Sequence, residues 1–291
     1  MNSGNSILPH FPAIRGQIQK IYNDINILAG YTDSNHLMGI ITEYYLSLNH
    51  TDQQTILQNA DVARQFVAKL PIMANFQTEI RDITNPYIQT IIADPVFQSS
   101  FGMNQYRFKY INPHNVIALQ PWVEQRRDTV PTDELELLKF SLPNVWDIPA
   151  EVNFIQPSGP IQILSSDPNL QGLSVEFDNI NGRVMLGAPK HLNLTQVKHF
   201  QGKYYLMNGY HRMVDAIRQG ITEYPCIVVE AFSPGEIIAP QNFFNFGYAN
   251  SLQRPPLVSD FLTTASINTK ARERRYGMIV SLDVKPINFG I

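Results

Sequence analysis

The segment KYYLMNGYHRMVDAIRQG, residues 203–220, constrains the fold of this chain more than any other. Its first residues are aromatic and apolar and suit a buried strand, and Asn208-Gly209 is a turn dipeptide. A helical pattern opens at His211-Arg212 and ends at Gly220. A further apolar run, EYPCIVVEAF at 223–232, predicts a second strand. The order strand, glycine turn, helix and strand places the start of a helix at the end of a strand.

The residues at this helix start favour an anion. The first N–H groups of a helix have no partner within the helix, and together with the macrodipole they attract negative charge. Gly209 allows a ligand to approach the backbone, and Arg212 can hold a phosphate or carboxylate through two hydrogen bonds. His211 can donate a hydrogen bond or transfer a proton near neutral pH. The alternative is an exposed helix start in which Arg212 pairs with Asp215, three residues later.

The segment GKYYLMNGYHRMVDAIRQGITEYPCIVVE, residues 202–230, resembles the ParB/sulfiredoxin-like superfamily, which includes the ParB-like nuclease domain. Upstream, INPHNVIALQP at 111–121 is similar to the first strand of the family, which often ends in a Gln-Pro or Arg-Pro pair. The resemblance covers residues 199–230 well and 110–230 more loosely. The residues that carry it are Gly202, Tyr204, Tyr205, Asn208, Gly209, His211, Arg212, Ala216, Gly220, Pro225 and the strand 227–229.

The resemblance implies a site for nucleotide phosphates, because the motif binds them in that family. It assigns Asn208, Gly209, Tyr210 and Arg212 to cofactor binding and His211 to catalysis. The implied cofactor is ATP or another nucleoside triphosphate with Mg²⁺, and the implied ligand is a nucleotide or a phosphorylated small molecule. The resemblance assigns no metal ligand among the residues of the motif.

Three departures from the family pattern narrow the activity. Sulfiredoxins carry a catalytic cysteine where this chain has Tyr210, which argues against sulfinic acid reduction. Partition proteins have Gly-Glu-Arg-Arg at the turn and a helix-turn-helix domain downstream, and this chain has neither pattern. The usual aspartate before the glycine is Asn208, which leaves open whether the site is catalytic.

The segment WVEQRRD, residues 122–128, supplies further candidates directly after the family-like first strand. Arg126 and Arg127 can hold a phosphate, and Glu124 or Asp128 can act as a general base or a Mg²⁺ ligand. The alternative is a solvated charged loop.

Charge and composition limit the other classes of function. The net charge of -3 argues against a protein that coats nucleic acid. The basic run KARERR at 270–275 leaves nucleic acid as a possible but not favoured partner, with an exposed loop as the alternative. Cys226 is the single cysteine, so no disulfide can form within the chain, and we expect it to be buried in a strand. No signal-peptide pattern and no run of the ~18 apolar residues needed for a membrane span occur, so we expect a cytoplasmic protein without membrane contact.

The predicted fold class is α+β, with a helical region followed by a ParB/sulfiredoxin-like mixed β-sheet. Four helices are predicted before residue 104, within 12–30, 32–48, 51–70 and 75–95, the last of them broken near Pro86. After it come strands, a short helix at 132–143 with Thr132 as its N-cap, and a hairpin through Asn181-Gly182. The predicted domains are 1–103, 104–235 and a C-terminal extension 236–291 that completes the same domain or forms a separate lobe.

Three functions fit these patterns. The first is a nucleotide-dependent phosphotransferase or hydrolase, and the second is a metal-dependent nuclease on the same fold. The third is a non-catalytic binding or adaptor protein that uses the N-terminal helices to hold a protein partner. The contacts of His211 and Arg212 discriminate among them. An open site with an acid in reach favours catalysis, whereas an Arg212 side chain used by Asp215 or by buried carbonyls favours the adaptor.

Overall fold

The architecture is α+β, as the sequence predicts. The structure, a computed structural model, describes residues 22–44, 50–73, 77–125, 127–143, 193–240 and 243–272, together with strands at 151–154, 161–165, 174–178, 183–187 and 276–280. The helices of these residues are α1 (Ser34–Tyr44), α2 (His50–Val67), α3 (Tyr87–Ile92), α4 (Pro95–Phe101), α5 (Glu134–Ser141), α6 (Tyr210–Arg218) and α7 (Phe246–Ser251). The strands are β1 (Tyr22–Ile27), β2 (Glu79–Asp82), β3 (Tyr106–Ile111), β4 (Ile117–Ala118), β5 (Trp122–Glu124), β6 (Glu151–Phe154), β7 (Ile161–Ser165), β8 (Ser174–Asp178), β9 (Arg183–Gly187), β10 (Gln196–Phe200), β11 (Lys203–Asn208), β12 (Tyr224–Glu230), β13 (Ile267–Arg272) and β14 (Tyr276–Val280).

A six-stranded mixed sheet carries the predicted strand–turn–helix segment. Its strand order is β2-β3-β12-β10-β11-β4. The pairs β10–β12 and β11–β4 are parallel, and the other pairs are antiparallel. Strands β10 and β11 form a hairpin whose two turn residues, Gln201 and Gly202, both have positive φ, as the right-handed twist of a two-residue hairpin requires.

Strand β12 lies in the interior of this sheet, which explains its unbroken apolar sequence. Tyr224, Cys226 and Val228 belong to the core on one face, with α6 and the C-terminal segment. Ile227 and Val229 belong to the core on the other face, with α3, α4 and α5. A strand covered on both faces reads as a continuous apolar run. The prediction that Cys226 is buried in a strand is confirmed, and burial raises the pKa of its thiol.

A second sheet, with the order β13-β1-β5, corrects the first helix prediction. Residues 22–27 were assigned to a helix because their isoleucines fit a helical face, but they form the central strand of this sheet. Short apolar runs fit both periods, and here the pairing on both edges of β1 decides. Ile14, Ile18 and Ile21 lie outside the described residues. Because β1 pairs with β5 and β13, strand pairing crosses both predicted domain boundaries.

Helices α1 and α2 pack on this second sheet, and both confirm predicted helices. The carboxylate of Asp33 accepts from the backbone N–H of His36 at 2.7 Å, as an N-cap does. On α2, residues Ile56, Ala60 and Ala63 recur on one face and are buried. The fourth predicted helix is wrong at its start, because residues 79–82 form strand β2 at the edge of the six-stranded sheet.

The remaining elements follow the predicted order. The cap of α5 is Asp133, whose side chain accepts from Glu136 N, and not Thr132. Strands β8 and β9 pair antiparallel on either side of the predicted Asn181-Gly182 turn, which itself lies outside the described residues. Strands β6 and β7 pair with each other, and β7 also pairs with β14 near the C-terminus.

Candidate functional site

The turn between β11 and α6 has the predicted conformation. Gly209 is the N-cap of α6 and has φ 94°, in the left-handed region that favours glycine. A Cβ added at Gly209 would lie 2.6 Å from Oγ1 of Thr195, so the buried Thr195 side chain fills the space beside this glycine. The structure therefore gives Gly209 a packing role against β10 in addition to its role in the turn.

Asn208 organises the same turn through its side chain. Its Oδ1 accepts from the N–H of Gly209 at 2.8 Å, and its Nδ2 donates to Oδ1 of Asn193 at 3.1 Å. Asparagine side chains commonly bond to nearby main-chain groups in turns. Both polar atoms of the Asn208 side chain, Oδ1 and Nδ2, are thus hydrogen-bonded within the protein.

The side chain of Tyr210, assigned to cofactor binding by the resemblance, is committed to the protein interior. The residue is 4% exposed, and burial raises the pKa of its hydroxyl. That hydroxyl donates to Leu206 O at 2.6 Å and accepts from the N–H groups of Leu119 and Gln120 at 2.9 and 3.0 Å. The Tyr210 side chain therefore joins β11 to the segment after β4, and the assignment of Tyr210 to cofactor binding stays a prediction.

The guanidinium of Arg212 binds main-chain carbonyls. Nη1 donates to Phe140 O and Ser141 O at 3.1 and 3.2 Å. Nη2 donates to Asn193 O at 2.6 Å and to Asn193 Oδ1 at 3.1 Å. These contacts join the end of α5 to the residues before β10, where Thr195 N also donates to Ser141 O at 2.8 Å. Arg212 thus holds two separate parts of the chain, residues 140–141 and residue 193, against the start of α6.

Asp215 is paired, but not with the arginine that the sequence suggested. It lies at i+3 from Arg212, yet its Oδ1 accepts from Arg218, which is three residues further on. Its Oδ2 accepts from Asp128 N at 3.1 Å. The residue is 2% exposed, and burial raises the pKa of the carboxyl against the opposing effects of the Asp128 N–H and Arg218. Both spacings fit an i,i+3 pair, so the sequence could not choose between them.

The loop after β5 packs along α6, beyond its first turn. Asp128 donates its N–H to Asp215 and accepts at its carbonyl from Gln219 Nε2 at 2.8 Å. Strand β5, which ends at Glu124, also packs against α6. The structure therefore brings Asp128 to the helix that carries His211, although the main chain of Asp128 is anchored near the C-terminal half.

The loop after β5 also carries the two arginines that were predicted to hold a phosphate. Arg127 is exposed, has φ 56°, and donates to Gln125 Oε1 at 3.3 Å. Arg126 lies outside the described residues. The predicted phosphate contacts of both arginines stay predictions.

A charged network that the sequence analysis missed lies toward the β10–β11 hairpin turn, away from Gly209. Arg107 binds Glu79 at 2.8 Å and Glu230 at 2.9 Å, and both carboxylate oxygens of Glu230 lie within 2.9 Å of Nδ1 of His199. Lys109 binds Glu79 at 3.1 Å. Arg107 and Lys109 stand two residues apart on β3, a spacing that places both side chains on one face of a strand.

A second missed cluster is buried and joins the N-terminal segment to the C-terminal one. Asp260 is 1% exposed and accepts from Tyr31 Oη and from both terminal nitrogens of Arg254, each at 2.7 Å. Leu257 N adds a fourth contact at 2.9 Å. Sequence reasoning had no signal for the link to Tyr31, because Tyr31 lies more than two hundred residues from Asp260.

The basic run at 270–275 starts within a strand and not in a loop. Residues 270–272 belong to β13, and Lys270 is exposed. Residues 273–275, which include Arg274 and Arg275, lie outside the described residues. Contact with nucleic acid through this run stays a prediction.

Within the described part of the chain, no group of three or more His, Cys, Asp or Glu side chains is placed to hold a metal ion. In the same residues, no helix is long and apolar enough to cross a bilayer. Comparison with family models, with curated proteins and with solved structures finds no match to this chain. The resemblance to the ParB/sulfiredoxin-like superfamily therefore stays a prediction that rests on the residues of the motif.

Proposed function

We propose that the protein is a non-catalytic binding protein with a ParB/sulfiredoxin-like core. The Gly-Tyr-His-Arg turn stabilises this core, and helices α1 and α2 present the surface for a protein partner. The observation that carries the proposal is the set of contacts made by Arg212. Its two terminal nitrogens meet three main-chain carbonyls and the side chain of Asn193.

These contacts compete directly with phosphate binding. The two terminal nitrogens of a guanidinium carry four N–H groups, and four acceptors lie within hydrogen-bond distance of them. Bidentate binding of a phosphate would require Arg212 to leave part of this set. Each acceptor left buried without a partner costs about 1–3 kcal/mol, which a ligand would have to offset.

The outer face of α2 supports the proposal that this part of the molecule binds a protein partner. Its inner face packs on sheet β13-β1-β5, and Val62, on the outer face, is 56% exposed. Arg64 donates to Thr32 O at 2.9 Å and thereby fixes α2 to the residues before α1. A helix that is held rigidly on one side and exposed on the other is a suitable surface for a partner.

The first experiment is a thermal-shift screen of the purified full-length protein. It uses ATP, ADP, CTP, GTP and inorganic phosphate, each with and without Mg²⁺, on the wild type, Arg212→Ala and Arg212→Lys. A ligand that binds only the folded state raises the melting temperature in proportion to its excess over Kd. We expect no ligand-dependent rise in the wild type. We also expect lysine to destabilise almost as much as alanine, because it lacks the planar fork that meets four acceptors.

The second experiment tests the partner surface. Proteins retained by the immobilised wild type from the source cells are compared with those retained by Val62→Glu. Met103→Glu is the matched control, because Met103 is 100% exposed and lies outside α2. A partner lost only with Val62→Glu supports the α2 surface, and a set of retained proteins identical for the wild type and both variants contradicts it.

The second candidate function is the phosphate- or nucleotide-binding enzyme that the sequence predicts. One observation favours it: β5 and the loop to Asp128 pack on α6, on which His211 and Asp215 are four residues apart and share a face. This candidate predicts a melting-temperature rise with one nucleotide in the wild type that is lost in His211→Ala. The nuclease alternative stays a prediction from the resemblance alone.

A further inference from the structure

We propose that Asn208 is a site of spontaneous deamidation, in which the Asn208-Gly209 bond passes through a cyclic succinimide. The inference does not depend on the proposed function. It rests on the geometry of the turn, on the charge around it and on the identity of the following residue.

The turn holds the two reacting groups together. The nucleophile in succinimide formation is the main-chain nitrogen of the residue after asparagine, and the electrophile is the asparagine Cγ. In this structure the Gly209 nitrogen donates to Oδ1 of Asn208 at 2.8 Å, which brings Cγ, the carbon bonded to Oδ1, close to the same nitrogen. Reacting atoms held near contact distance react faster than free groups. Glycine has no Cβ to hinder the ring closure, and asparagine is among the thermolabile residues.

The surroundings favour the anionic species on this path. Gly209 is the N-cap of α6, so its nitrogen lies at the positive end of the helix dipole. The guanidinium of Arg212 is close as well, because it and Nδ2 of Asn208 both donate to Oδ1 of Asn193, each at 3.1 Å. Fixed positive charge stabilises the deprotonated nitrogen and the tetrahedral oxyanion that follows its attack. Asn208 is half-buried and Gly209 is buried, so the reaction takes place at the edge of the core.

The reaction balances with water as its only co-reactant. The Gly209 nitrogen loses its proton to solvent and forms a bond to Cγ. The Nδ2 group takes up a proton from solvent, the bond from Cγ to Nδ2 breaks, and Nδ2 leaves as ammonia. Water then opens the succinimide at one of its two carbonyl carbons. Cleavage between nitrogen and Cγ gives aspartate, and cleavage between nitrogen and the main-chain carbon gives isoaspartate. The net change is one amide and one water converted to one carboxylate and one ammonium ion.

The product alters the contacts at the turn. Aspartate at this position loses the Nδ2–H that Asn193 accepts and adds a negative charge near Arg212. The modification therefore places a carboxylate where it competes with the main-chain carbonyls for the guanidinium.

The test is peptide mapping by mass spectrometry of full-length protein aged in mildly alkaline buffer. The chain has a second Asn-Gly pair, Asn181-Gly182, which serves as a comparison within the same sample. Asn193, half-buried and followed by leucine, serves as the asparagine expected to stay intact. A parallel sample is aged in denaturant, where the contacts of the turn are lost.

We expect native protein to lose the Asn208 amide at least as fast as denatured protein, with both aspartate and isoaspartate formed. On isoelectric focusing, the aged wild type should gain an acidic band that co-migrates with Asn208→Asp and that is absent from aged Asn208→Gln. Loss of the amide at Asn208 only in the denatured sample would overturn the proposal, because the fold would then protect the bond. Because the main comparison uses the wild type alone, it holds even if the variants fold poorly.

Discussion

The two ends of the six-stranded sheet each hold an arginine, and they satisfy it in different ways. At the α6 end, Arg212 meets neutral main-chain carbonyls and an amide oxygen. At the hairpin end, Arg107 meets the carboxylates of Glu79 and Glu230, and its side chain is 42% exposed. The first arrangement cannot be titrated and is poorly screened by salt, whereas the second depends on both pH and salt. A motif that predicts an anion site therefore marks the end of the sheet at which neutral oxygens, and not carboxylates, hold the cation.

The largest expected difference in stability is between the substitution of Arg212 and that of Arg107. Arg212→Ala should lower the free energy of unfolding by about 3 kcal/mol, because the carbonyls of Phe140 and Asn193 lose this donor. Arg107→Ala should cost about 1 kcal/mol or less, because its partners are partly exposed and solvent can replace it. Chemical denaturation of the two variants measures both values. Equal losses would remove the distinction between the two ends.

Two tyrosines, Tyr205 and Tyr210, test how much hydrogen bonding contributes to stability at the α6 end of the sheet. Tyr210→Phe should cost about 2 kcal/mol, since it removes one hydroxyl that serves two N–H groups and one carbonyl. Tyr205→Phe is the matched control. Its hydroxyl is buried and has no hydrogen-bond partner among the described residues, and burial raises its pKa to about 12. Removing that hydroxyl should leave stability unchanged or raise it slightly. A larger loss for Tyr205→Phe than for Tyr210→Phe would contradict these roles.

Acid should weaken the hairpin end selectively. Burial by itself would raise the pKa of Glu79, but hydrogen bonds from Lys109 and Tyr204 and the charge of Arg107 lower it overall. A carboxyl whose pKa is depressed in the folded state contributes stability above its unfolded pKa and loses it as the pH falls through the folded value. Glu79→Gln should therefore flatten the decline of stability below pH 4.5, the ordinary value for this group. The change should be about 1 kcal/mol or less. An unaltered acid slope in unfolding curves would show that Glu79 does not contribute to it.

Salt gives the smallest expected difference. Raising the ionic strength should reduce the cost of Arg107→Ala by a few tenths of a kcal/mol, about the scale of an exposed ion pair. The cost of Arg212→Ala should stay the same. Denaturation in urea at low and high NaCl provides the measurement, since urea adds no charge of its own. A salt-dependent cost at Arg212 would point to an ionic partner that the described contacts lack.

The parts of the fold that depend on residues close together in the chain were predictable from the sequence. Strand β11, the glycine turn, α6 and β12 follow from residues that are adjacent in the chain. The helix-like spacing at 22–27 was misleading because the partners of β1 lie at 122–124 and 267–272. No local pattern contains that pairing.

The contacts of the candidate site likewise divide into local ones, which the sequence predicted, and distant ones, which it did not. Gly209 and Asn208 have the turn roles that their residue types indicate, because those roles are local. The partners of Arg212 at Phe140 and Ser141 are more than seventy residues away, and nothing in the sequence marks a backbone carbonyl as an acceptor. Sequence reasoning could therefore identify a cation at the start of α6 but not what it binds.

The contacts around Arg212 also indicate where the chain can tolerate a change in its length. Ser141 and Thr195 are joined by a main-chain hydrogen bond of 2.8 Å, so the ends of the intervening segment are already in contact. Insertions and deletions are tolerated best where the ends of the affected segment lie close together and the core loses few contacts. A change of length between Leu142, which is fully buried, and Asn193, which binds Arg212, is therefore expected to leave both junctions in place.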